Sequence, residues 1–273
     1  MSTLVPRLFA SLTDDAAVFP PGNASLAEAV EAHRIHRAAW YAEMVGPLLI
    51  PPTDLASLPP AERLTVGLVG ERAAVARALA AVPDGITVRQ VESPVAKRGE
   101  DPMPGLKDFV ALAEGITGYA EVPLTGGLLG ALDELAVARA AGADVAPKFR
   151  TGGLAAELFP TPVELAGVIV ACRDRGLPFK LTAGLHRAIR HSDPETGFVH
   201  HGFVNVLVAA LVAAGGAGAG AVTDALAAVD PVPLVQAVRA RLGEDRPLWI
   251  GFGTCSVSEP LADLTMLGLL VAP

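Results

Sequence analysis

Cysteine is nearly absent from the chain. Its 273 residues include two, Cys172 and Cys255, too few to staple a protein of this length with disulfides. A run of basic residues is missing, and the net charge is −8. This argues against nucleic acid or an anionic membrane as partner. Disorder is excluded from the other direction, because 51% of the residues are hydrophobic. A long uniformly apolar segment is missing as well. Phe203 to Val222 carries no charge, but its strongly apolar part ends near Leu211 and gives way to Gly215-Gly216-Ala217-Gly218. A membrane-spanning helix needs about 20 strongly apolar residues, so this segment reads as a buried core helix. The first residues, MSTLVPRLFASLTDD, lack the charged start, apolar core and cleavage site of a secretion signal, and a cytoplasmic location is expected.

What is present is an alternation of strand and helix patterns. Apolar runs occur at Val45–Ile50, Leu64–Val69, Ile86–Val91, Gly118–Val122, Val145–Phe149, Pro178–Thr182 and Leu248–Phe252. An eighth strand is expected at Ala16–Phe19 or near Ala219–Thr223. Helices are expected between them, from Glu71 to Ala81 and from Leu128 to Ala141. Ser25-Leu-Ala-Glu28 and Thr161-Pro-Val-Glu164 read as capping boxes. The second opens a helix that runs to Arg175 and stops at Gly176. Strands separated by helices pair in parallel through crossovers. The expected fold is a single (β/α)8 barrel over residues 1–273, with 1–24 as a cap over the barrel mouth. The alternative is an open doubly wound parallel sheet. Residues 93–105 are the most loop-like part of the chain.

Lysine is scarce: four residues, Lys97, Lys107, Lys148 and Lys180, against 17 arginines. The last two fall near the C-terminal ends of strand patterns, the end that faces the active site in this fold. A buried lysine shifts its pKa and can act as nucleophile or base, which arginine cannot. Two neighbouring amines lower each other's pKa by repulsion, one route to a Schiff-base lysine. The plain alternative is that both pair with carboxylates such as Glu121. Arg150, Thr151, Gly152 and Gly153 follow Lys148 directly. Their turn amides and guanidinium suit a carboxylate or phosphate.

Lys148-x-x-Thr151-Gly152, followed thirty-two residues after that lysine by Lys180-x-x-Ala183-Gly184, resembles the paired-lysine strands of class I aldolases of the deoxyribose-phosphate aldolase type. Those barrels carry Lys-Thr-Ser-Thr-Gly and Lys-x-x-Gly-Gly on adjacent strands. The resemblance covers about 40 residues and implies Lys148 as the Schiff-base former and Lys180 as the neighbour that depresses its pKa. The family has the pair on strands six and seven and an aspartate on strand four. The strand count here places the pair on five and six, with Glu121 as the nearest substitute for the aspartate.

Four of six histidines cluster at His186, His191, His200 and His201. His186 follows the Lys180 strand and is a candidate general base. The loop from His191 to Gly197 is long enough to act as a flap. No cofactor is expected. The alternative is a divalent metal held by His186, His200 and His201. After the last strand pattern, Gly253, Thr254 and Ser256 offer amides and hydroxyls to a phosphate, and Cys255 is a candidate nucleophile, whereas Cys172 reads as core. Asp14 and Asp15 could cap the mouth and meet Arg150 or a lysine. His33 and His36 share a helix face and read as surface or interface residues. The expected activity is lysine-centred lyase, aldolase or isomerase chemistry on a small anionic carbonyl compound. The alternatives are a metal-dependent hydrolase or isomerase and a non-catalytic binding barrel. The mean hydropathy of +0.44 suggests a homo-oligomer, a dimer in the simplest case.

Overall fold

A computed structural model describes residues 4–59 and 63–273. Strands β1 (Thr13–Asp15), β2 (Val45–Ile50), β3 (Leu64–Val69), β4 (Ile86–Pro94), β5 (Thr117–Glu121), β6 (Val145–Arg150) and β7 (Phe179–Thr182) pair in sequence. A short hairpin of β8 (His191–Ser192) and β9 (Val199–His200) follows, and β10 (Trp249–Thr254) then closes the barrel between β7 and β1. Every barrel pair is parallel. The fold is the expected (β/α)8 barrel, and the open-sheet alternative is overturned by the β10–β1 pairing of Thr13 with Phe252 and Asp15 with Thr254.

The helices are α1 (Leu26–Ala38), α2 (Arg72–Leu79), α3 (Met103–Leu112), α4 (Leu128–Ala140) and α5 (Pro162–Asp174), then α6 (Phe203–Ala214), α7 (Ala219–Ala227), α8 (Pro231–Arg239) and α9 (Ser258–Met266). Both capping boxes form: Ser25 and Thr161 accept from the amides of Glu28 and Glu164, whose carboxylates bind back to the cap residues. α5 stops where Gly176 takes φ +63°, which lets the Leu177 amide reach the Cys172 carbonyl. α6 is twelve residues long and buried on nearly every side. No single helix among the described residues is long and apolar enough to cross a membrane.

Three expectations need correction. The eighth strand is Thr13–Asp15, not Ala16–Phe19, and Ala219–Thr223 lies in α7. A three-residue strand whose residues are all polar and all buried has no apolar period to read. Residues 93–105 are not one loop, since Ser93 and Pro94 finish β4 and α3 begins at Met103. Residues 1–24 do not form one cap, because β1 divides them. The segment before β1 buries Leu8, Phe9 and Leu12 at the N-terminal end of the barrel; residues 1–3 lie outside the described residues. The segment after β1 lies at the C-terminal end, where Gly22 packs against Cys255.

Candidate active site

Alternation along each strand sends every second side chain into the barrel. On β4 these are Gln90 and Glu92, on β5 Tyr119 and Glu121, on β6 Lys148 and on β7 Lys180. Lys148 and Lys180 are direct register partners. They stand on the sixth and seventh barrel strands, which corrects the fifth and sixth of the sequence count, because the polar β1 comes first.

The two amines do not touch each other; Glu92 lies between them. Lys148 Nζ donates to Glu92 Oε2 at 2.8 Å and Lys180 Nζ to Glu92 Oε1 at 2.6 Å. Lys180 also binds Asp14, and Gln90 Nε2 bridges Asp14 and Glu92 at 2.7 and 2.8 Å. Lys148 continues to Glu121 at 2.9 Å, and Glu121 accepts from Arg150 Nε at 3.2 Å. The chain Asp14–Lys180–Glu92–Lys148–Glu121–Arg150 thus balances three carboxylates with three cations. Both lysines are 2% exposed and Glu92 1%.

Burial by itself would push Glu92 up, but the two ammoniums hold it at about 2. Burial likewise opposes both ammoniums, and their carboxylate partners more than offset it, so both lysines stay above their ordinary value. The expectation that Lys180 depresses its neighbour is therefore overturned for the resting protein. The carboxylate between the two amines outweighs their mutual repulsion. Glu121 is half-buried, and Lys148 and Arg150 keep it below its ordinary range against the cost of desolvation.

A cavity of about 190 Å³ opens at the C-terminal end, above Glu121 and Arg150 and between Arg98, Glu157, Leu158 and Glu164. Of Arg150, Thr151, Gly152 and Gly153, only Arg150 lines it. The Thr151 hydroxyl donates to Ala183 O at 2.5 Å. A Cβ on Gly152 would sit 2.8 Å from Gly184 Cα, and one on Gly153 2.4 Å from Leu158 Cδ1. These glycines serve close packing, with the β6 and β7 turns backbone to backbone. Ala183 holds φ +63° there, a conformation uncommon for a residue with a Cβ.

The loop after β10 is occupied by its own bonds. Thr254 Oγ1 donates to Ser256 O at 3.0 Å and accepts from Ser256 N–H at 3.3 Å, and Ser256 Oγ lies 3.4 Å from Ser258 Oγ. Gly253 packs beside Leu49. Cys255 Sγ is 3.9 Å from His186 Nδ1, but Glu259 approaches the same nitrogen at 3.2 Å. A relay needs acid and thiol on opposite ring nitrogens. Burial and Glu259 push the Cys255 thiol up, away from the thiolate.

The histidines do not converge either. His200 Nδ1 meets Gly184 O at 3.1 Å and its ring stacks on His191 at 5.2 Å. The expected flap is the β8–β9 hairpin that carries them. The His186 ring lies 6.4 Å from His200. His201 is turned away to Pro160 O at 2.8 Å, and burial pulls it down to about 4. No group of three His, Cys, Asp or Glu among the described residues is arranged to hold a metal. His33, expected at the surface or in an interface, is buried within the chain against Asp15 at 3.0 Å.

Sequence reasoning missed Glu92, Gln90 and Tyr119. Gln90-x-Glu92 continues the β4 alternation past Val91, and Tyr119-x-Glu121 alternates on β5, which were the signals for them. Comparison of the chain with protein-family models, curated proteins and solved structures returns no match.

Proposed function

We propose that the protein is a barrel enzyme that acts on a small anionic carbonyl compound through Lys148, in aldolase-type lyase or isomerase chemistry. The observation that carries this reading is Glu92 on the fourth strand, held between lysines of the sixth and seventh strands. These strand positions are similar to those of the deoxyribose-phosphate aldolase type, with a glutamate where that family has its aspartate. Buried ion pairs are weak stabilisers compared with apolar packing, and barrels ordinarily fill this space with branched aliphatic side chains. A six-membered ionic row therefore argues for chemistry over scaffolding.

The resting ammonium must lose its proton to act. Glu121 is the one carboxylate of the row at the mouth cavity, and it is shared by Lys148 and Arg150. An anionic substrate that takes Arg150 leaves Glu121 with one cation and raises its proton affinity. The Lys148 proton then passes to Glu121. The neutral amine attacks the carbonyl carbon, and one amine proton moves to the oxygen to give a carbinolamine. Glu121 returns its proton as that oxygen leaves as water. The iminium that remains has Glu92 as counter-ion. His186 is not assigned a part in this, since it is bound to Glu259.

Borohydride trapping with a panel of aldehydes and keto acids tests the reading. A reduced adduct mapped to Lys148 and lost in Lys148→Arg is expected. If no member of the panel gives an adduct, the second reading takes over: a non-catalytic binding barrel, which the closed ion pairs of both lysines favour.

A further inference from the structure

The barrel is also hollow at its other end. A cavity of about 340 Å³ lies among the N-terminal ends of the strands, the face whose residues ordinarily serve stability alone. Ser11 precedes β1, Thr117 opens β5 and Pro178 precedes β7, and all three line it. Its inner wall is the underside of the ionic row, Asp14 and Lys180.

Three register shifts interrupt the barrel among the described residues, and all three fall on this cavity. Thr13 pairs with Val45 but Asp15 with Leu48, which places Gly46 and Pro47 opposite Asp14. Val66 pairs with Val88 but Gly67 with Gln90, so Arg89 is extra. Trp249 pairs with Phe179 but Gly251 with Lys180, so Ile250 is extra. Each of these inserted residues lines the cavity. A bulge re-aims a side chain and bends its strand, and bulges gather next to ligand sites. Three around one cavity widen an end that packed side chains would otherwise fill.

Two polar groups there lack partners. The Tyr119 hydroxyl has no hydrogen bond among the described residues, although the residue is only 7% exposed. Its ring carries Lys180 Nζ at 4.4 Å from the centroid. Arg89 is exposed at the rim of the cavity and has neither hydrogen bond nor ion pair among the described residues. The other charges on the wall are matched: Lys180 by Asp14, and Arg139 by Asp144 at 3.7 Å. The site therefore carries one uncompensated positive charge, one free hydroxyl donor, and an apolar wall from Pro47, Ala146, Ile250 and Phe252.

We infer that this cavity is a second ligand site, separate from the mouth, for a small monocarboxylate: Arg89 takes the carboxylate, Tyr119 donates to it, and the apolar wall takes a short hydrocarbon body. A dianion would leave a charge unmatched, and a neutral isostere would leave Arg89 so.

Sodium butyrate at constant ionic strength is the probe, read by calorimetry and by the concentration dependence of Tm, with butyramide and inorganic phosphate alongside. Saturable butyrate binding is expected, with a Kd on the order of 1 mM. Arg89→Ala should weaken it roughly tenfold or more, in keeping with a hydrogen-bonded charge. Tyr119→Phe, which keeps the ring over Lys180, should weaken it several-fold. Arg150→Ala, at the mouth, should leave the Arg89-dependent binding unchanged. The inference is overturned by no saturable binding at roughly a hundred times that concentration, by equal binding of butyramide or tighter binding of phosphate, or by loss in Arg150→Ala with retention in Arg89→Ala.

Discussion

Lys148 and Lys180 face each other across the β6–β7 register and are bound by opposite oxygens of one carboxylate, that of Glu92, at 2.8 and 2.6 Å. This fixes the charge state of the barrel interior. Glu92 drops from its ordinary 4.5 to about 2, and a lowered carboxylate contributes stability that is present above the unfolded pKa. That contribution, about 3 kcal/mol, should vanish as pH falls from about 4.5 through about 2. At the other extreme, both lysines are raised above 10.5, so their contribution is complete below that pH and is lost as pH rises through the folded values. Urea unfolding across pH checks both limbs. Glu92→Gln should shrink the acid limb, leaving the part that Glu121 supplies, and lower stability by about 3–5 kcal/mol, as when one partner of a buried pair is deleted. An unchanged acid limb in that variant would contradict the assignment.

Gly152→Ala tests the seating of the two lysine strands. The added Cβ would meet Gly184 Cα at 2.8 Å, backbone against backbone with no flexible side chain to yield. A loss of about 1–3 kcal/mol is expected, with a fall in carbonyl trapping because the strand ends separate. Gly167→Ala, inside α5 where a Cβ meets nothing within 4 Å, should leave trapping unchanged and raise stability by about 0.5–1 kcal/mol.

Arg246 ties the N-terminal segment to β10. It donates to the carbonyls of Leu8, Ala10, Ser11, Trp249 and Ile250, and burial draws it down to about 10. Arg246→Met should leave these carbonyls short of partners and destabilise by about 3 kcal/mol or more, at about 1–3 kcal/mol per unsatisfied group. Arg246→Lys should recover little of it, since an ammonium lacks the planar fork. Denaturant midpoints of the three proteins decide.

Cys255 should be a sluggish thiol. Burial and Glu259 raise it, so iodoacetamide at pH 7 should alkylate it more slowly than a free cysteine in a peptide. Cys255→Ser should leave carbonyl trapping intact. Fast alkylation would return the thiol to the list of nucleophiles.

Much of the barrel was legible in the sequence because seven of its strands are apolar runs punctuated by capping boxes and glycine stops; Val45–Ile50 and Leu64–Val69 match to the residue. Thr13–Asp15 was not, since its burial is supported by partners far along the chain and not by apolar side chains. Lysine scarcity pointed to Lys148 and Lys180. Their partners were hidden by distance: Lys180 is 166 residues from Asp14 and 88 from Glu92, and no local period records such a pairing. The glycines of the β6 turn misled for a related reason. Thr151-Gly-Gly looks the same whether it cradles an anion or admits a neighbouring backbone, and Gly184 decides for the backbone.

The most direct measurement is 13Cε NMR of the lysines, with and without pyruvate as the anionic carbonyl probe. Lys97 and Lys107 are exposed and give the reference. The account expects both buried lysines to be ammoniums at pH 7 in the free protein, still titrating above the exposed pair. Pyruvate should then shift one signal to the imine range, and Lys148→Arg should abolish that signal. Buried amines already neutral at pH 7 would contradict the Glu92 lock, and an imine signal that persists in Lys148→Arg would contradict Lys148 as the reacting amine.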